Sequence, residues 1–289
     1  MAAGTERGSA VLPWAVAMPL ARLVVLGGAL FVMLVMSNDV MVALSGRPLA
    51  SAAGVAGMTA AGLAVYVGFA RFVERRRVTE LSLPGMGREL GLGLAVGAGL
   101  YVACVLVLMA LGIYRIEGLN PWTFLLPALA MALSSGMFEE LLFRGVVFRS
   151  IEEVFGSWIA LVVSSLVFGF VHLLNPAATV MGAVFISIEA GLLLAAAYML
   201  TRRLWLSIGF HMSWNYTQSA VFSGIVSGGD ADPGLMRASI DGPVALTGGS
   251  FGLESSVVAL LLCTATGLIL LAMAIRRGNV VPPLWRRRA

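Results

Sequence analysis

The sequence predicts an all-α fold, a polytopic bundle of about eight transmembrane helices, and three observations carry that prediction. Of 289 residues, 59% are hydrophobic and only 12% are charged, with a mean hydropathy of +0.94. A soluble globular domain is roughly 45–50% apolar and about 25% charged. The apolar residues gather in runs of about 20, the length that crosses a bilayer as a helix. The charges lie between those runs with a one-sided bias.

Eight runs meet the length requirement, at roughly 14–36, 49–70, 91–113, 122–148, 157–174, 179–200, 204–225 and 254–275. The first is longer than the apolar core of a secretory signal, so it reads as an uncleaved span. The fourth is the least clean, because it contains Glu139, Glu140 and Arg144. The fifth ends at Asn175-Pro176, where proline removes an amide donor and stops the helix. Gly93 and Gly97 form a small-xxx-small pair in the third span, which suits close helix packing.

Lys is absent and all 19 basic residues are Arg. With the N-terminus in the cytoplasm, 15 of them fall on inside segments. These are Arg7; Arg71, Arg75, Arg76, Arg77 and Arg88; Arg144 and Arg149; Arg202 and Arg203; and Arg276, Arg277, Arg286, Arg287 and Arg288. Arg47, Arg115 and Arg237 fall outside, and Arg22 is near the inner end of the first span. This is the positive-inside pattern, and it puts both termini in the cytoplasm. The expected location is a bacterial cell membrane. Arginines at span ends serve topology, so no nucleic-acid partner is expected.

The remaining segments have simpler readings. Residues 71–90 form a charged cytoplasmic loop, and residues 226–252, rich in Gly, Ser and Asp, form an outside loop. Cys104 and Cys263 are single thiols inside apolar runs and read as small core residues. Gly248, Ser250 and Gly252 match a nucleophile-elbow spacing without its strand–turn–helix context, so the match is coincidental.

Charged groups in hydrocarbon cost several kcal/mol, so they are rare and usually functional. Three sets occur here. In the first, Glu140 and Arg144 are i and i+4 and stack on one helix face, while Glu139 projects about 100° away. Alone, this set also suits a solvated helix end. In the second, Phe168 precedes His172 by one turn and can wall its imidazole. In the third, His211 and Asn215 share a face at i, i+4; alone, they suit interhelical hydrogen bonding. Both histidines of the chain, two carboxylates, one guanidinium and one amide thus occur at helical spacing in three spans. Glu189 is a further charge in the middle of the sixth span, suited to a cavity or to an Arg partner. One depth count is discordant: from the inner face His211 lies about 10 Å deep and His172 about 22 Å. A shared site requires a later start for span five, strong tilt, or a fourth helix running past Arg149.

The pattern EExxxR, then FxxxH, then HxxxN on successive apolar helices resembles the CAAX-protease and bacteriocin-processing (Abi) family, the type 2 prenyl-protein endopeptidases and their bacterial relatives. The likeness covers about residues 122–220 and divides the chain. Residues 1–121 add N-terminal spans and the cytoplasmic loop, 122–220 form a CAAX-protease-like core, and 221–289 supply the outer loop, the last span and a basic tail.

The resemblance implies an intramembrane endopeptidase acting on a membrane-bound peptide or protein. Glu139 and His172 would position and deprotonate water, His211 and Asn215 would stabilise the oxyanion, and Glu140 and Arg144 would orient the site. Phe168 would border the substrate. Metal dependence stays open; a divalent ion such as zinc would use Glu139, His172 and His211, with water in the fourth place. The HExxH helix is absent, which excludes a zincin-type site. Two other readings use the same residues: a proton-coupled transporter, and a non-catalytic membrane partner of the bacteriocin-immunity type.

Overall fold

The computed structural model describes residues 17–287, so Arg7, residues 14–16 of the expected first span, and Arg288 lie outside the described residues. The chain is a helical bundle. Helix α1 is Ala17–Ala43, α2 is Pro48–Val73 and α3 is Met86–Ala110. A single helical run, Trp122–Leu174, follows. Gly156 interrupts it with φ 80°, ψ 171°, conformations that no helix accommodates, and divides it into α4 (128–155) and α5 (157–171). Helix α6 is Val180–Thr201, and α8 is Val257–Arg276. Between them α7 joins Trp205–Tyr216 to Thr217–Val221.

Among the described residues, six helical segments are long and apolar enough to cross a membrane. The count is six because Trp122–Leu174 is taken whole and because α7 is shorter than about 20 residues. Splitting the long run at Gly156 and admitting α7 gives the eight of the sequence reading, so the bundle has between six and eight spans.

The break at Gly156 makes α4 and α5 a hairpin. Glu139 and His172 stand about 26 Å and about 24 Å along the helix from that glycine. Yet their side chains meet at 4.0 Å. The discordant depth count resolves in the same way. Helix α4 does not stop at 148; it runs past Arg149 to Phe155, so the whole hairpin extends further toward the arginine-rich end.

That end is closed by an ionic layer, built largely from the charged loop 71–90, whose two ends lie within α2 and α3. Arg149 bonds Glu74 at 2.7 Å and Glu80 at 3.0 Å. Arg76 also clamps Glu80, at 2.5 Å, and the Tyr66 hydroxyl donates to it at 2.6 Å. Arg22 of α1 pairs with Glu74 and with Glu153. Glu80 is 2% exposed; burial pushes its carboxyl above the usual range, against the lowering effect of the Tyr66 hydrogen bond. Only the fold could convert this loop into a plug, because apart from its own Arg76 its partners come from α1, α2 and α4.

Helices α3 and α7 pack most closely. A β-carbon on Gly93 would overlap the Leu206 carbonyl oxygen, and one on Gly97 would overlap the Phe210 carbonyl oxygen. The small-xxx-small pair therefore seats the backbone of α7 directly. The opposite end carries an element absent from the sequence reading. Strands β1 (Tyr114–Leu119) and β2 (Met236–Ile240) pair antiparallel with a bulge near Gly118. Both segments alternate apolar and polar residues, Tyr114-Arg115-Ile116-Glu117 and Met236-Arg237-Ala238-Ser239-Ile240, the period of a half-buried strand that a reading for spans and loops leaves unused. The stretch expected as an outside loop is thus partly ordered by pairing with a segment more than a hundred residues earlier. Cys104 and Cys263 are buried and unpaired.

Candidate active site

All three polar sets converge where α4, α5 and α7 meet. The Glu139–Glu140–Arg144 set is no solvated helix end: Glu140 is 0% exposed and Arg144 2%. Arg144 donates to Glu140 at 2.7 Å, the i, i+4 pair expected. The backbone around it departs from a regular α-helix, since Ser135–Glu139 and Leu141–Phe148 are π-helical. Such turns are rare and frequent at functional sites.

Each histidine is held by its Nδ1. That of His172 lies 2.7 Å from the Phe168 carbonyl oxygen. A carbonyl only accepts, so Nδ1 carries the proton. The Nδ1 of His211 donates to Glu140 Oε1 at 2.9 Å. Glu140 thus bridges Arg144 and His211 through one oxygen. Both Nε2 atoms then face the same oxygen of Glu139, Oε2, at 4.0 Å from His172 and 3.9 Å from His211. Direct hydrogen bonds are shorter, and gaps of this length admit a bridging water. Glu139 Oε2 is buried without a partner.

Phe168 is the hinge of the arrangement. Its ring lies 5.0 Å from the His172 ring and 5.9 Å from the His211 ring. The Arg144 guanidinium sits over it, 4.6 Å from the centroid. The residue expected to border substrate is 1% exposed and touches both imidazoles. Asn215 shares the His211 face and donates to the Ser135 hydroxyl at 2.9 Å.

A small cavity of about 20 Å³ adjoins the cluster, bordered by Phe168, Glu189, His211, Trp214, Asn215 and Glu254. A single water needs about 10–15 Å³ of such space. Glu189 occupies the cavity alternative of the sequence reading, 1% exposed, with Oε2 unpartnered. Glu254, Trp214, Ser227 and Ser135 were missed. Glu254 accepts from the Ser227 amide and from the Trp214 indole at 3.4 Å. Burial pushes its carboxyl above the usual range, with the Ser227 hydrogen bond working against the rise. The apolar run 254–275 predicts it as the first residue of the last span. In fact α8 begins at Val257 and the preceding turn folds inward. The one available signal was an acid lying just before an apolar run. Ser250, by contrast, donates to the Ala177 carbonyl outside this cluster.

Glu139, His172 and His211 carry donor types that suit zinc. Bonds of about 2.0–2.2 Å put tetrahedral donors roughly 3.4 Å apart. The observed 3.9 and 4.0 Å are wider. Among the described residues no group of three His, Cys, Asp or Glu side chains closes around a metal position.

Comparison with known proteins agrees with the motif reading. A family model described as type II CAAX prenyl endopeptidase Rce1-like matches residues 121–217, which include every residue of the three sets. No curated protein and no solved structure matches the chain. The family that the three motifs resemble and the family matched over residues 121–217 are one and the same, the Rce1-like type II CAAX prenyl endopeptidases.

Proposed function

We propose that this protein is an intramembrane endopeptidase that hydrolyses a peptide bond of a membrane-associated peptide or protein. The observation that carries the reading is the unpartnered Glu139 Oε2, faced by two imidazole Nε2 atoms at 3.9 and 4.0 Å. A water held in that gap donates one proton toward Glu139 and the other toward the free lone pair of His172. As its oxygen attacks the carbonyl carbon, Glu139 takes the proton. The new oxyanion accepts hydrogen bonds from His211 and from the second amide proton of Asn215. For His211 to donate from Nε2 it must be the imidazolium. That form balances the charge: two carboxylates, Glu139 and Glu140, against Arg144 and His211. The intermediate collapses as the C–N bond breaks and Glu139 returns its proton to the leaving nitrogen. Glu140 and Arg144 act as positioning residues, and Phe168 walls the substrate side. The arginine distribution supports both termini in the cytoplasm.

The test is cleavage of a membrane-bound peptide library by purified protein in liposomes, beside Glu139→Gln. We expect products with the native chain and a loss of about 10²–10⁴-fold in rate with the variant, both proteins remaining equally helical. Equal cleavage by Glu139→Gln would overturn the reading. Unpartnered Glu189 is the feature a proton-coupled transporter would use. Liposome flux that falls in Glu189→Gln, without any cleavage, would favour that alternative.

A further inference from the structure

A groove of about 460 Å³ opens at the arginine-rich end of the bundle, away from the site above, lined by Arg77, Thr79, Ser82, Thr201, Arg202 and Arg203. It contains no carboxylate of its own. From this we propose that the groove binds the phosphate of an anionic phospholipid headgroup.

Position is the first argument. Arg77 lies four residues beyond the end of α2, and Arg202 and Arg203 directly follow α6. Residues so close to span ends stand at headgroup level, where anionic lipids attract clustered arginines. The second argument is pre-orientation. Arg202 is held by both carboxylate oxygens of Glu152, at 2.9 and 2.6 Å. Arg203 is held by Glu89 and by the Pro84 carbonyl. A guanidinium has five donors. Each of these two uses only part of its fork and stays part exposed, 34% and 27%. Planar donor sets of this kind match phosphate oxygens.

Charge is the third argument. The two held arginines are offset by their carboxylates, but Arg77 is exposed and forms no ion pair among the described residues. The groove therefore has one uncompensated positive charge, which a phosphodiester would neutralise. Two of the four non-glycine residues with left-handed backbones among the described residues stand in this region. Arg75 and Arg202 both have left-handed backbones, φ 54° and 56°, which non-glycine residues adopt at a cost. Leu83, next in the chain to Ser82, is 70% exposed and offers apolar contact for an acyl chain.

The full-length protein in detergent would be titrated with phosphatidylglycerol, phosphatidylcholine and inorganic phosphate, with binding read by native mass spectrometry. We expect phosphatidylglycerol to bind at least about fivefold more tightly than phosphatidylcholine, the factor for one arginine–headgroup attraction. Arg77→Gln should remove that preference, and Arg115→Gln, at the far end of the bundle, should leave it intact. Thr79→Glu, which adds a carboxylate to the groove, should abolish it independently should Arg77→Gln misfold. Equal binding of the two lipids, or an undiminished preference in both groove variants, would overturn the proposal. Full displacement of the lipid by an equal concentration of inorganic phosphate would also overturn it, marking a free-anion site.

Discussion

Helix α4 runs through two buried ionic clusters that differ in one respect. Toward the arginine-rich end, Arg149 joins Arg22, Arg76, Glu74, Glu80 and Tyr66. None of the carboxylate oxygens of Glu74 or Glu80 is buried without a partner. Two to three turns earlier, Glu139 and Glu140 each keep one buried, unpartnered oxygen. Both clusters carry similar groups on the same helix. The satisfied one is a structural clasp; the unsatisfied one has the capacity to bind. Buried polar groups are almost always paired, so an exception calls for a reason. The reason offered here is that water and substrate complete the site.

The comparison can be broken at either cluster. The largest effect is expected at the unsatisfied one: His172→Ala, which removes a neutral imidazole bonded only to the Phe168 carbonyl, should lower cleavage by about 10²–10⁴-fold while thermal unfolding stays nearer that of the native chain. Rates in a cleavage assay, read beside a melting curve, check both halves. Arg149→Ala should do the reverse. Removing one member of a buried ion pair costs about 3–5 kcal/mol, so the melting temperature should collapse while the folded fraction still cleaves. If Arg149→Ala melted normally, the clasp interpretation would be wrong.

A smaller effect tests how α7 is held. Gly97→Leu forces a side chain into the Phe210 carbonyl and should cost roughly 1–3 kcal/mol of overpacking, lowering both stability and rate as His211 shifts. The smallest concerns Glu254. Its folded carboxyl titrates above the unfolded one, so the native state keeps a proton the unfolded chain has lost. Stability should therefore be full below the unfolded value, about 4.3, and decline as pH rises above it. Glu254→Gln should flatten that decline in melting curves recorded across the window. A Glu254→Gln chain whose stability falls across the window more steeply than the native one would contradict the sign.

The three motifs, the apolar runs and the arginine bias were legible without coordinates, because helical spacing and hydrocarbon cost act locally. Glu140–Arg144 follows from i, i+4 alone. Asn215 and His211 share a face for the same reason. The count of spans was readable only within limits, since one glycine at 156 decides whether 53 residues make one helix or a hairpin. What loop 71–90 packs against was not legible, because besides the local Arg76 the partners of Glu74 and Glu80 are Arg22 and Arg149, more than fifty residues away.

The sequence by itself determined the membrane class, the helical content and the identity of the groups able to do chemistry, because each depends on composition and short-range period. Tertiary structure alone decided that both imidazoles face one oxygen of Glu139, that Glu140 is shared between Arg144 and His211, and that Glu254 turns into the cavity beside Glu189. Those facts depend on how far α4 extends and how closely α3 seats α7, and long-range packing leaves no periodic trace in a single chain.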